Sequence, residues 1–438
     1  MSKSSPRVSL IAAFAIVLAV TARAEGPLEL ERVLAEVDAA NPSVAAGRHE
    51  SSAAWARARR AGAWDAPMLE LAAENVPVTG GFDKDPMTMK VIGLEQRVPL
   101  FGDRSLSRKA AEGEARAADL SVDYTRWQRF GDAWMAFAEA YFAGTRADAA
   151  RDHQQVMDRM AAAAKARYES GRGRLDALRR VEAERARIVA DAVSFAADAR
   201  TARARLDALR GREVGAADES LAAPPETLAA DSAAGWRDAV ASHPSVRALR
   251  EREAGQRGMA SAAHRATWPE LALRASYGFR EPLATMPGIP NDDMWSAGVA
   301  FELPLGAGSR QGAEAAAATA MADAAEAERR TTTLELESEL VSLRAHAAAS
   351  RRTVALLADT VLVAQRRALA AAWSAYEAGS NDLTGVLDAA HATYAEELQA
   401  SQARQELAAT LARLLAVTAR PELVGVRVPA SSAERRKP

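Results

Sequence analysis

The chain of 438 residues has no cysteine, which excludes a disulfide, a thiol nucleophile and a lipid-acceptor cysteine. Aromatic residues make up only 5% of it and alanine carries much of the apolar share. That composition suits narrow helix–helix packing better than a thick globular core. Net charge is −2, so no charge imbalance points to nucleic acid. Beyond the first residues no apolar run reaches the roughly 18 residues of a transmembrane helix, which leaves closed strands as the only route into a membrane. The six histidines (His49, His153, His243, His264, His346 and His391) are dispersed, without a zinc-protease pair or a Gly-rich phosphate loop nearby. No enzyme, catalytic residue or cofactor is expected. Met87, Met89, Met286 and Met294 read as gap-fillers rather than soft ligands, so no metal site is expected either.

Residues 1–24 read as an export signal. Lys3 and Arg7 give a basic start, Val8 to Val20 an apolar run, and Ala22-Arg23-Ala24 a small-x-small cleavage site.

Proline is absent from two long stretches. From Asp103 to the turn at Gly171 the only glycines are Gly113, Gly131 and Gly144. Trp127, Phe130, Trp134, Phe137 and Tyr141 recur there at steps of 3 and 4, a coiled-coil seam, which predicts one helix over about 103–168. A second unbroken segment is expected over about 309–376. Its seam is read through Leu336, Leu340, Leu343, Ala347, Ser350, Val354, Leu357, Val361, Ala364 and Ala368.

The surrounding pattern is also duplicated. Asn41-Pro42-Ser43 and His243-Pro244-Ser245 interrupt matching helices, with the prolines 202 residues apart. Candidate strands follow in each half. Leu271, Leu273, Ala275, Tyr277 and Phe279 alternate with Glu270, Arg274, Ser276 and Arg280; Trp295, Ala297, Val299, Phe301 and Leu303 alternate with Ser296, Gly298 and Glu302. In the first half Leu69, Leu71 and Ala73 alternate with Glu70 and Glu74, and the partner strand is Thr88 to Val98. Strands of about ten residues with one apolar face are the pattern of an outer-membrane barrel. Four strands cannot close a barrel, for which about eight is the minimum, so several chains must contribute.

Two phrases recur. Val98-Pro99-Leu100-Phe101-Gly102 and Leu303-Pro304-Leu305-Gly306 lead from hairpin to long helix. Tyr168-Glu169-Ser170-Gly171-Arg172-Gly173-Arg174-Leu175 and Tyr376-Glu377-Ala378-Gly379-Ser380-Asn381-Asp382-Leu383 end the long helices, 208 residues apart. Each is followed by a return helix; Leu178, Val181, Ile188, Phe195, Leu206 and Leu209 form the seam of the first. The organisation expected is a first repeat over 25–210 with a hairpin at 68–98, a linker over 211–231, and a second repeat over 232–420 with a hairpin at 270–303. A disordered tail is expected over 421–438.

These phrases and the duplicated order resemble the TolC family of trimeric outer-membrane efflux ducts, over nearly the whole chain after the signal. The wording around Gly93 to Gly102 is closest to the heavy-metal branch, the CzcC- and CusC-like members. The resemblance implies a mainly α chain with a small β part. A tandem-repeat coiled-coil α-barrel would join a twelve-stranded transmembrane β-barrel, four strands from each chain of a homotrimer. It implies residence in the outer membrane with most of the chain in the periplasm. The implied partners are a periplasmic adaptor, an inner-membrane pump of RND type and outer-membrane lipid. Carried over, the tip where the duct shuts and the adaptor docks comprises Gly171, Arg172, Gly173, Leu175, Gly379, Ser380, Asn381 and Leu383. Leu271, Leu273, Tyr277, Phe279, Trp295, Val299 and Phe301 would face lipid. Asp388 would form a ring of three carboxylates at a constriction. Two departures stand out: some members carry arginine where this chain has Asn381, and an aspartate where it has Gly385.

The function implied is a passive exit duct of a tripartite efflux system, with heavy-metal cations among the substrates to be considered. The alternative is an exported coiled-coil scaffold or adaptor that never forms a pore. That reading explains the seams but not two amphipathic hairpins.

Overall fold

In the computed structural model, residues 26–78, 80–98, 103–171, 173–215, 219–228, 233–265, 270–284, 287–302 and 309–428 are described. The segment expected to be an export signal, both strand-exit phrases beyond Val98 and Glu302, Arg172 and residues 429–438 lie outside them. Within them the chain forms α1 (Leu30–Ala40), α2 (Pro42–Ala61), β1 (Met68–Glu74), β2 (Met89–Val98), α3 (Asp103–Glu169) and α4 (Leu175–Leu209). The second half repeats the order as α5 (Ala233–Ala241), α6 (Pro244–Arg265), β3 (Glu270–Phe279), β4 (Met294–Glu302), α7 (Arg310–Leu356), α8 (Leu362–Glu377) and α9 (Leu383–Thr418).

Helix α3 has 67 residues and is therefore about 100 Å long. Its expected seam is its core: Phe130, Trp134 and Phe137 are fully buried, and Trp127 and Tyr141 pack beside them.

The four strands form one antiparallel sheet in the order β1-β2-β3-β4. Helices α2, α3, α6 and α7, each directly joined to one of those strands in sequence, pack side by side in the same order. Farther along, α4 packs on α3, α3 on α9, and α9 on α7 and α8.

Two matching contacts stack the short helices on the return helices. Asn41 caps α2 by accepting from the Ser43 amide at 2.9 Å, and its Nδ2 donates to the Leu209 carbonyl at 2.7 Å, where α4 ends. His243 is fully buried before α6, with Nδ1 2.7 Å from Ser245 Oγ and Nε2 3.1 Å from the Ala416 carbonyl near the end of α9. Each chain is thus four columns, each running from a strand to the helical tip: β1 with α2 over α4, β2 with α3, β3 with α6 over α9, and β4 with α7 and α8.

Two expectations need correction. The second long helix is not regular, because Leu357–Val361 form a π turn. A π turn inserts one residue and moves the buried face on by one position. Ala364 and Ala368, read as seam residues, are accordingly exposed, while Leu369, Ala372 and Trp373 pack against the core and Tyr376 is buried. The tail is not disordered from its start: Pro421–Val424 form a 3₁₀ turn, with Val424 and Val426 buried in the main core. Their apolar side chains supply the anchor that a polar tail would lack.

The linker is likewise tied down. Arg210, 3% exposed, holds Glu36 at 2.7 Å and Glu219 at 2.9 Å, and Arg212 reaches the same two carboxylates. Leu28 and Leu221 form a short parallel bridge beside this cluster.

Candidate functional site

The sheet's alternation survives pairing, since opposed residues in an antiparallel ladder share a face. Leu271 stands opposite Phe301, Leu273 opposite Val299, and Tyr277 opposite Trp295. The neighbouring ladders add Ile92 against Tyr277 and Leu71, and Leu94 against Leu69. One face therefore carries all seven residues expected to meet lipid, and most are open: Trp295 is 76% exposed and Val299 58%. The other face carries Glu70, Gly93, Glu95, Arg274, Ser276, Gly298 and Ser296. Arg274 Nε donates to Glu95 Oε2 there at 2.8 Å. Such a sheet has one side for an apolar medium and one for water. Among the described residues no helix is long and apolar enough to cross a membrane.

Beyond the strands, the two hairpin loops fold on each other. The Ala284 amide donates to the Asp83 carbonyl at 3.0 Å, Lys90 pairs with Glu281 at 2.6 Å, and Leu283 is buried between them.

At the opposite end the long helices turn back through left-handed glycines, Gly171 at φ +70° and Gly379 at φ +77°. Glycine is required there because a Cβ would strain that conformation. The tip encloses its own core of Met157, Met160, Leu178, Val181, Tyr376 and Val386. Leu175 and Leu383 begin the two return helices at equivalent places but differ: Leu175 is exposed, whereas Leu383 is 6% exposed inside that core. Leu383 therefore cannot present a docking face, in contrast to its expected role. Ser380 is held instead by its own backbone turn, with its amide donating to Ala375 at 2.9 Å. Gly173 has no room for a side chain, as a Cβ would lie 2.7 Å from the Tyr168 nitrogen. Asp388 is exposed on α9, as a pore-facing carboxylate needs.

The contact that joins the two tip hairpins involves a residue the sequence did not single out. Arg167 Nη2 donates to the Tyr376 carbonyl at 2.9 Å, and its guanidinium lies 3.9 Å over the Tyr376 ring. Its only sequence signal is its place, one turn before Gly171. Farther up, α9 is fastened to α4 by His391 with Glu184 at 2.8 Å and by Tyr394 donating to Asp191 at 3.3 Å. His153 of α3 stacks on Tyr394 with ring centroids 4.7 Å apart. Burial pulls the His153 imidazole below the usual histidine range, and pushes the Tyr394 phenol well above the usual tyrosine value.

Residues 236–420 match the family model described as outer membrane efflux protein. No curated protein matches the chain. Solved structures share its fold over most of their length. CusC, whose structures describe folding and transmembrane channel formation, is similar at TM-score 0.76 and 13% identity, over 89% of this chain and 91% of that one. The outer membrane protein VceC of Vibrio cholerae is similar at TM-score 0.75 and 18% identity, over 89% of this chain and 96% of that one. The open-state MtrE outer membrane channel of Neisseria gonorrhoeae gives TM-score 0.71 and 19% identity, over 89% and 88%. These identities carry the fold alone, and the sequence match to the outer membrane efflux protein family covers residues 236–420, most of the second repeat.

Proposed function

We propose that three copies of this chain close into one passive duct, with the sheet in the outer membrane and the helical columns in the periplasm. The observation that carries this reading is the coincidence of free edges. β1 and β4 each lack one neighbour, and the helices in the same columns, α2 with α4 and α7 with α8, are the outermost in their layers. These outer helices also carry apolar residues with nothing to cover them: Val189 and Val193 on α4, and Leu334, Val341, Leu356 and Val363 on α7 and α8. Apolar side chains at such intervals along two edges are what a neighbouring copy would bury. Rotation about a three-fold axis would set β4 of one chain against β1 of the next and remove every sheet edge.

The duct would receive substrate from an inner-membrane pump of RND type through a periplasmic adaptor that docks at the helical tip. Gly171, Arg172, Gly173, Leu175, Gly379, Ser380 and Asn381 are the surface proposed for that docking. A ring of three Asp388 carboxylates would favour cations, and heavy-metal cations are the proposed cargo on the strength of the CusC-like resemblance.

Because the chain lacks cysteine, an introduced pair reports alone. Ala72→Cys on β1 and Ala300→Cys on β4 sit on the water-facing side of the two edges. A short bismaleimide applied to membranes should yield a covalent trimer from the double variant and only monomer from either single variant. Monomer alone from the double variant would contradict the closure.

A further inference from the structure

The helical columns are packed around two separate apolar cores. The main core ends on α3 at Phe142 and on α7 at Leu357, with Val361 at its margin. The tip core begins on α3 at Ala150 and takes Leu369, Ala372, Trp373 and Tyr376 from α8. On α9 the change falls between Tyr394 and Ala400, and on α4 between Ile188 and Leu206.

Between the cores lies a waist with little to pack. Residues 143–149 of α3 and 196–205 of α4 are only alanine, glycine, threonine, arginine and aspartate. Contacts at this level are polar: Arg146 Nη1 donates to Gln405 Oε1 at 2.7 Å, and Arg366 pairs with Glu397 at 2.8 Å. Gaps remain beside them. One cavity of about 590 Å³ lies between α3, α8 and α9, and another of about 600 Å³ lies chiefly between α3 and α4. No neighbouring atom comes within 4 Å of where a Cβ on Gly144 would stand.

The π turn sits at this waist, with Ala358 and Leu362 lining the first cavity. The Leu362 amide donates to the Leu357 carbonyl, five residues back, so the regular ladder of the arm is interrupted there. Helices bend sharply at such interruptions, and segments with few buried apolar contacts are those that yield first. We infer that the arm formed by α7 and α8 is hinged at Leu357–Val361, so that its tip end swings while the main core stays fixed. The bend belongs to the single chain; its effect on the width of the duct rests on the three-fold closure proposed above.

The test uses the full-length protein in lipid nanodiscs, with a spin label on Ala378→Cys, the only cysteine in the chain. Ala378 lies 17 residues beyond Val361, about 25 Å along the arm, so a bend of about 20° carries each label about 9 Å. Deleting Thr360, an exposed residue of the turn, removes the inserted position and leaves Leu369, Ala372 and Trp373 facing the tip core. Pulsed electron resonance between copies should show a second, longer distance in the native turn that is lost on deletion. The same distance distribution in both chains would overturn the hinge. Hydrogen exchange of the unaltered protein judges the same claim without a variant. Amides of residues 358–365 should exchange about tenfold faster than those of 340–350 and 369–376, and equal protection would overturn it. Absence of any distance between copies would count against the trimer instead, and the exchange measurement would still decide the hinge.

Discussion

Asn381 lies across the face of Gly385, filling the space where a side chain on residue 385 would stand. A Cβ there would come within 2.8 Å of Asn381 Oδ1 and 2.9 Å of its Nδ2. The same Oδ1 accepts from the Asp382 amide at 2.9 Å, while Asp382 caps α9 through the Gly385 amide at 2.9 Å. Asn381 and Gly385, the two positions that stand apart from the pattern the resemblance implies, are therefore one matched pair. Replacing glycine by alanine inside a helix ordinarily stabilises by about 0.5–1 kcal/mol. Gly385→Ala should lose that gain in the native background, where Asn381 must move. In an Asn381→Ala background the gain should appear in full. A double-mutant cycle by thermal unfolding should give a coupling of about 1 kcal/mol; additive effects would separate the pair.

Arg167 ties the two tip hairpins together through the carbonyl and ring of Tyr376. A charge-assisted hydrogen bond with a cation–π contact at a half-buried site is worth about 1–3 kcal/mol. If this clasp helps hold the tip shut, Arg167→Ala shifts the closed state toward the open one by roughly tenfold or more. Raised open probability in single-channel recordings is the expected result. Lysine should restore little, because it cannot lie flat on the ring while donating to the carbonyl.

Much of this architecture is legible in the residues themselves. The hairpins declare themselves through period-two alternation from Leu271 to Phe279 and from Trp295 to Phe301. The stacking points declare themselves through Asn41-Pro42 and His243-Pro244, because a cap before proline has a local chemical cause. The π turn has no such mark: Leu357-Ala358-Asp359-Thr360-Val361 reads as ordinary helix, and the phase shift that exposes Ala364 comes from packing against α9. Val424 and Val426 looked like tail because only the fold shows the groove that receives them. Arg167 was invisible for the same reason, since a partner 209 residues distant decides what it does.

Val299 sits opposite Leu273 on the apolar face of the sheet, and Ser296 opposite Ser276 on the other. Val299→Arg should destabilise membrane assembly by about 2–4 kcal/mol if it lies near the bilayer midplane. Ser296→Arg should cost far less and alter ion selectivity instead. Heat-resistant trimer recovered from membranes is the measurement; equal recovery of both variants would refute the assignment of faces.

His243 bridges Ser245 and the Ala416 carbonyl while buried, and burial holds its pKa below the ordinary histidine value. Along the chain the nearest charged groups are Arg247 and Asp238, and in space Arg420, beyond α9, donates to the adjacent Ser242. Folding therefore favours the neutral ring. The unfolded chain binds more protons once pH falls below about 6.5, so this site's contribution is intact above that value and declines beneath it. His153 acts in the same sense. Thermal stability should fall from pH 7 to pH 5. His243→Asn, which imitates Asn41 in the first repeat, should flatten part of that slope. An unchanged slope would show that His243 is not the titrating group.

The most direct test of the whole account is single-channel conductance of the purified protein in a planar bilayer, with Asp388→Asn measured beside it. A trimeric duct shut at its tip predicts discrete unitary steps of small conductance and cation preference, with the preference reduced in Asp388→Asn. Absence of any insertion, from protein that leaves membranes in carbonate without detergent, would contradict the duct and leave an exported helical scaffold.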